Sequence, residues 1–210
     1  TVGGVEIGGG GEIRLPAAFN VAVPFIDRHI SEGRGDKVAV RTVAEAVTYA
    51  QLALRADATG RALLARGIKP GDRVLMIVKD CPAFFYLFWG AIRAVIVPVP
   101  LNTLLRAPDY AYIIDDSGCG LVTYSPEFAS EVEPALAQLG SKAPPALKVT
   151  DDASIGADAA GPALAPHPAT PTGDCFWLYS SGSTGRPKGA VHRQRDMVVT
   201  SELYGVRTLG

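Results

Sequence analysis

The run Arg73-Val-Leu-Met-Ile-Val78 is almost continuously apolar. With the turn signal Pro70-Gly71-Asp72 in front of it, it predicts a strand covered by protein on both faces. Pro82 then opens a helix over 83–93. Its Phe84, Phe85, Tyr86, Phe88 and Trp89 occupy both sides, which predicts a deeply buried helix rather than an aromatic ligand box. Val95–Val99 reads as a third apolar segment, a strand interrupted by Pro98 and Pro100. A helix follows from Pro108 to about Asp116, with Tyr110, Ile113 and Ile114 inward. Asp115 and Asp116 close it at the end where the helix dipole disfavours carboxylates, which could mark a site but reads more simply as a solvated terminus. Gly120–Tyr124 predicts a strand, Ser125-Pro126 the start of a helix reaching Leu139, and Ala146–Val149 a short last strand. Strand and helix alternate throughout 73–149. The predicted fold is therefore α/β, a parallel sheet with flanking helices and right-handed crossovers.

Upstream, Thr48-Tyr-Ala-Gln51 has the capping-box pattern and begins an amphipathic helix that ends near Arg66, with Gly67 as its stop. Arg55, Asp57, Arg61 and Arg66 fall opposite its apolar side and read as a solvated face. Residues 37–43 and 46–48 suggest a short hairpin, and Phe19–Ile30 a short helix with His29 near the surface. Residues 1–12 hold six glycines and are expected to be a mobile tail. Downstream, 150–173 turns rich in Ala, Asp, Gly and Pro without an aromatic residue, which predicts an exposed connector. His167 lies within it with no partner at metal-ligand spacing. The expected organisation is an N-terminal α/β subdomain over 1–150, a connector over 151–173, and the start of a second subdomain over 174–210.

Composition narrows the function classes. Hydrophobic residues make up 48% and charged residues 20%, as in an ordinary globular core. A net charge of −1 gives no electrostatic footprint for nucleic acid or an anionic membrane. No apolar run approaches the length of a membrane span. Cys81, Cys119 and Cys175 are odd in number and far apart, so they are expected to be buried free thiols of a cytoplasmic protein.

The chemistry concentrates after the connector. The apolar strand 174–179 runs into Tyr179-Ser-Ser-Gly-Ser-Thr-Gly-Arg-Pro-Lys-Gly189. These residues include three glycines, four aliphatic hydroxyls and Lys188. Glycines let the backbone approach a ligand closely, and backbone N–H groups and hydroxyls can then surround a polyphosphate beside a mobile cation. An ordinary polar turn needs neither so many donors nor a lysine after a proline. Two other phosphate motifs are absent: Gly-Lys-Ser/Thr opening a helix, and G-x-G-x-x-G. A short strand over Gly189–His192 and a helix over Arg195–Thr208 follow, so the loop is expected to join two strands.

This string resembles the phosphate-binding signature of the adenylate-forming superfamily, which includes acyl-CoA synthetases, luciferases and the adenylation domains of peptide synthetases. Leu15-Pro-Ala-Ala-Phe-Asn-Val-Ala22, Gly71-Asp-Arg-Val74, Pro98-Val-Pro-Leu-Asn-Thr-Leu-Leu105 and Ser201-Glu-Leu-Tyr-Gly205 are similar to benzoate–CoA ligases. The resemblance implies ATP contacts from Ser180, Ser181, Gly182, Ser183, Thr184, Gly185 and Lys188, with Lys188 also catalytic. It further implies an aromatic, benzoate-like carboxylate and CoA as partners, and a place in aromatic acid catabolism. A homodimer is left open, and no nucleic acid or membrane partner is expected. Two positions depart from the superfamily pattern: His192-Arg193-Gln194 stands where His-Thr-His is common, and Ala94-Val95 where Ala-Gly is common.

Superfamily members are much longer. Their later segments carry the carboxylate pocket, the adenine and ribose contacts, the acidic Mg2+ ligand and a mobile C-terminal domain with a catalytic lysine. The chain is therefore expected to be the N-terminal portion of the large domain, inactive alone, with no metal ligand of its own. Two other readings stay open. One is a different adenylating enzyme, for fatty, hydroxycinnamic or amino acids. The other is a non-catalytic nucleotide- or phosphate-binding module.

Overall fold

The structure, a computed structural model, describes residues 4–8, 12–180 and 185–209. Two strands, β1 (Glu6–Ile7) and β2 (Ile13–Arg14), pair antiparallel near the N-terminus. A π-helical turn, Val23–Asp27, runs into α1 (Arg28–Ser31), followed by an antiparallel pair β3 (Val38–Arg41) and β4 (Ala46–Thr48). Then come α2 (Tyr49–Ala65), β5 (Arg73–Ile77), α3 (Pro82–Arg93), β6 (Val97–Pro100), α4 (Ala107–Ser117), β7 (Leu121–Tyr124), α5 (Ala129–Leu139) and β8 (Ala146–Lys148). After the connector stand β9 (Asp174–Ser180), β10 (Lys188–Arg193), α6 (Gln194–Thr200) and a π-helical turn, Ser201–Val206.

The predicted parallel sheet is present, in the order β6-β5-β7-β8. β5 is central, and Val74 to Ile77 are buried without exception. Its alternation sends Leu75 and Ile77 into the core made with α4 and α5. Val74 and Met76 go to the side of α2 and α3. A run apolar at every position is thus what a strand between two helical layers requires.

The edge strand β6 carries two prolines. Val97 donates to the Asp72 carbonyl at 2.8 Å and Leu101 to the Met76 carbonyl at 3.0 Å, so donors at odd positions point toward β5. Pro98 and Pro100 therefore face the opposite edge, where proline has no N–H to offer. β9 passes alongside β6 on that edge, yet among the described residues pairs only with β10.

Helices α2 and α3 approach closely at two glycines. A Cβ on Gly90 would sit 2.6 Å from the Ala56 carbonyl oxygen and 2.9 Å from the Gly60 nitrogen. The atoms in the way are backbone and cannot swing aside. The capping box of α2 forms as predicted: Gln51 N–H donates to Thr48 Oγ1 at 3.2 Å, and Thr48 N–H to Gln51 Oε1 at 2.9 Å.

Three local expectations give way to packing. Within the residues expected to be a tail, β1 pairs with β2 just beyond them, and Val5 is buried in the main core. The charged side of α2 is only partly solvated. Asp57 is 6% exposed, and Arg61 donates to the carbonyls of Ala159 at 2.9 Å and Pro162 at 2.5 Å. Arg55 pairs with Asp152, and Arg66 reaches the Ser154 carbonyl. Those arginines strap down the connector, whose Ile155 and Ala157 are buried. The rest stays exposed or half-buried, as its small, turn-forming residues suggested, but these two side chains do not.

The strand expected from Val95 begins at Val97, because α3 ends in a Schellman motif: Ile96 N–H donates to the Ala91 carbonyl at 2.9 Å and Val95 N–H to Ile92 at 3.0 Å. Val95 occupies the left-handed position, φ 57°, the one non-glycine residue at positive φ among the described residues. A β-branched side chain there is strained.

Two stability outcomes follow. Val95→Gly should stabilise the chain by about 1 kcal/mol, raising the thermal midpoint by about 2–4 °C in calorimetry. Gly90→Ala should destabilise it by about 1–3 kcal/mol in urea denaturation, since overpacking against backbone has no soft escape.

Candidate phosphate-binding hairpin

β9 and β10 form a two-stranded antiparallel ribbon in which Ser180 stands opposite Lys188, Tyr179 opposite Gly189 and Phe176 opposite His192. The expectation that the loop joins two strands holds, and β10 starts one residue earlier than predicted, at Lys188 itself. Of the candidate phosphate ligands, Ser180 and Lys188 are brought together as the last ladder pair before the loop, both exposed. Gly185 follows in the returning arm at φ +102°, a conformation open to glycine. Ser181, Gly182, Ser183 and Thr184 lie outside the described residues.

The base of the ribbon is built into the core. Cys175 is 1% exposed, and burial pushes its thiol up to about 12. Cys119 is also buried with its thiol pushed up by desolvation, while Cys81 is half-buried; all three are free. Phe176 stacks on His192 with ring centroids 4.5 Å apart and meets Phe88 of α3 at 5.6 Å.

The positions that depart from the His-Thr-His pattern have structural tasks here. Arg193 N–H donates to the Asp196 carboxylate at 2.8 Å, capping α6, and its guanidinium reaches the Thr172 carbonyl. Gln194 is fully buried. Its Oε1 accepts from Val21 N–H at 2.9 Å and its backbone N–H donates to the Gly173 carbonyl at 3.0 Å. Sequence reading gave Gln194 no role. Its only signal was a polar residue at a helix start, which is ordinary.

At the loop end of the ribbon the contacts come from α4. The Tyr179 hydroxyl donates to Asp116 Oδ2 at 2.6 Å, and the Tyr112 hydroxyl lies 3.4 Å from Asp116 Oδ1. The Arg186 guanidinium rests over the Tyr112 ring, 5.1 Å from its centroid. Asp116, expected to be merely solvated, is thus an acceptor for the strand that leads into the loop. A cleft of about 350 Å³ opens beside this contact, lined by Tyr112, Asp115, Leu139, Gly185, Arg186 and Pro187. Arg186 and Lys188 make the returning arm cationic, the charge a polyphosphate needs.

A larger cavity of about 680 Å³ lies elsewhere, between Phe25, Arg28, His29, Tyr49, Val198 and Glu202. Of the described candidate phosphate ligands Ser180, Gly185 and Lys188, none lines it. His29 is not a free surface residue: it stacks on Tyr49 at 3.8 Å and its Nδ1 accepts from Arg34 at 3.2 Å. Burial, then the Arg34 and Arg28 charges, lower its pKa. Among the described residues no group of three or more His, Cys, Asp or Glu could hold a metal ion. No helix there is long and apolar enough to cross a membrane.

Known proteins are similar to this chain in sequence and in fold. The sequence model of the family described as AMP-binding enzyme matches residues 27–208. A benzoate–CoA ligase of Thauera aromatica is 38% identical over 206 residues, covering 94% of this chain and 38% of its own length. A 4-hydroxybenzoate–CoA/benzoate–CoA ligase of Rhodopseudomonas palustris is 37% identical, with 90% of this chain and 36% of its own length covered. Among solved structures, a benzoate CoA ligase from Burkholderia xenovorans LB400 superposes with a TM-score of 0.81 at 32% identity, over 91% of this chain and 38% of its own. The chain thus spans 36 to 38% of the length of these curated relatives. Over nearly its whole extent its sequence and its fold agree with theirs, and the chain belongs to the AMP-binding enzyme family.

Proposed function

We propose that this chain is the phosphate-binding part of an AMP-forming acid–CoA ligase that activates an aromatic, benzoate-like carboxylate. The observation that carries the reading is the pairing of Ser180 with Lys188 at the mouth of the glycine-rich loop, on a ribbon anchored in the core. Family membership and the names of the relatives support the acid–thiol ligase class and the aromatic acid. In this reading 1–150 is the N-terminal α/β subdomain, 151–173 the connector, and 174–210 the start of a second subdomain. Free thiols at all three cysteines fit a reducing, cytoplasmic setting.

The reaction assigned has two halves. A carboxylate oxygen attacks the α-phosphorus of ATP, the bond from that phosphorus to the bridging oxygen breaks, and pyrophosphate leaves with its electron pair. The CoA sulfur then adds to the acyl carbon of the acyl-AMP, the carbon–oxygen bond to phosphate breaks, and AMP departs while the thiol proton is lost to solvent. The first half builds charge on the leaving pyrophosphate, so catalysis there is positioning plus electrostatics. Lys188 supplies a cation, and Ser180, Ser181, Ser183 and Thr184 supply hydroxyl donors. Gly182 and Gly185 let the backbone close on the β- and γ-phosphates.

In the protein that contains this chain, benzoate should drive ATP–pyrophosphate exchange, and amino acids should not. Lys188→Ala should slow that exchange by about 100-fold, as expected for losing one charge-stabilising donor. Unchanged exchange in the variant would overturn the reading. ATP binding without any exchange would mark a non-catalytic nucleotide module instead.

A further inference from the structure

We propose that Asp116, at the C-terminal end of α4, is a positioning residue for the phosphate-binding loop, latching it through Tyr179. This rests on reading the β9–β10 ribbon as the ATP phosphate site.

Among the described residues the ribbon's two strands pair only with each other, and the β6 edge beside it presents prolines in place of donors. Its base is held by Cys175, Phe176 and Gln194, but its loop end extends beyond them. There the residue before Ser180 is Tyr179, whose hydroxyl donates to Asp116 Oδ2 at 2.6 Å. Asp116 Oδ1 faces the Tyr112 hydroxyl, and the Tyr112 ring carries Arg186. One carboxylate thus connects the outgoing arm, directly, and the returning arm, through Tyr112, to one turn of α4. Asp115 next to it lines the cleft and receives neither hydroxyl.

Gly189 supplies an independent observation. A Cβ built there would fall 3.1 Å from Tyr179 Cζ and 3.4 Å from its hydroxyl oxygen. The tyrosine ring crosses the bare glycine to reach Asp116, so the last glycine of the motif makes room for the latch. Burial, then the Asp116 contact, push the Tyr179 phenol well above its usual range. A loop fixed at both arms loses less freedom when phosphates bind, which lowers the ATP concentration needed.

The test is benzoate-dependent pyrophosphate exchange together with amide hydrogen exchange of the peptide 180–189, both in the protein containing this chain. Asp116→Ala and Tyr179→Phe should each raise the KM for ATP about five-fold, as for one lost hydrogen bond, with kcat nearly unchanged. The double variant should be no worse than either single one. Asp116→Asn should restore most of the loss, since its amide oxygen still accepts from Tyr179. Tyr124→Phe removes a tyrosine–carboxylate bond of similar length, to Glu133 at 3.0 Å, away from the loop; it should leave the KM for ATP unchanged. The loop amides should exchange faster in Asp116→Ala and Tyr179→Phe alone. Unchanged loop exchange in both, or additive effects in the double variant, would overturn the latch. The amide readout does not depend on catalysis, so a protein with no pyrophosphate exchange would sink the ligase reading while still deciding the latch.

Discussion

A guanidinium taken out of water has to be met on all sides, and meeting Arg93 organises this molecule. Arg93 sits near the end of α3, 7% exposed. It pairs with Asp27 at 2.7 Å, lies 2.5 Å from Asp57 on α2, and donates to the Leu164 carbonyl at 2.7 Å. Asp57 also accepts from Leu164 N–H. Burial raises the pKa of Asp57 while the Arg93 charge opposes that rise. Removing either partner would strand a charge in the core, which is the expensive outcome for a buried pair. The N-terminal segment, two helices and the connector are therefore committed to one arrangement.

Asn20 extends that commitment. Its amide donates to the Ile92 and His167 carbonyls, at 3.0 Å each, giving the Ile92 carbonyl at the end of α3 a second donor beside Val95 N–H. Its oxygen accepts from Ala22 N–H. Val21, next along, donates to Gln194 at the start of α6. A continuous set of polar contacts thus runs from α3 to the foot of the β9–β10 ribbon. Loop chemistry at one end of the ribbon relies on satisfied polar groups at the other.

The sheet was legible in the sequence because its signals are local and strong. Arg73–Val78 reads as a doubly covered strand, Thr48–Gln51 as a helix start, and the string around Lys188 as a turn rich in anion donors. Contacts between distant segments were not legible. Asp57 reads as part of a polar helix face until Arg93 arrives from another element to neutralise it. Asp116 looks like an unfavourable helix end until Tyr179 reaches it across 63 residues. The connector read as exposed because Ala, Gly and Pro are turn formers, yet the carbonyls of Ala159 and Pro162 are what Arg61 of α2 binds. Of the candidate site, the sequence allowed the residue types to be named and the two-strand setting to be anticipated, whereas the support from α4 is a property of the folded chain alone.

The prolines of β6 have one more effect, on the chain as it is being made. β6 is complete long before β9 is synthesised, so its outer edge must wait uncovered. An open edge normally offers a row of donors to which a neighbouring polypeptide can zip. Pro98 and Pro100 blank that row, and the opposite margin of the sheet is a strand of three residues ending in Lys148. A half-made sheet of this kind gives stray strands little to grip, which protects the nascent protein from clumping during the interval before its own later segments arrive.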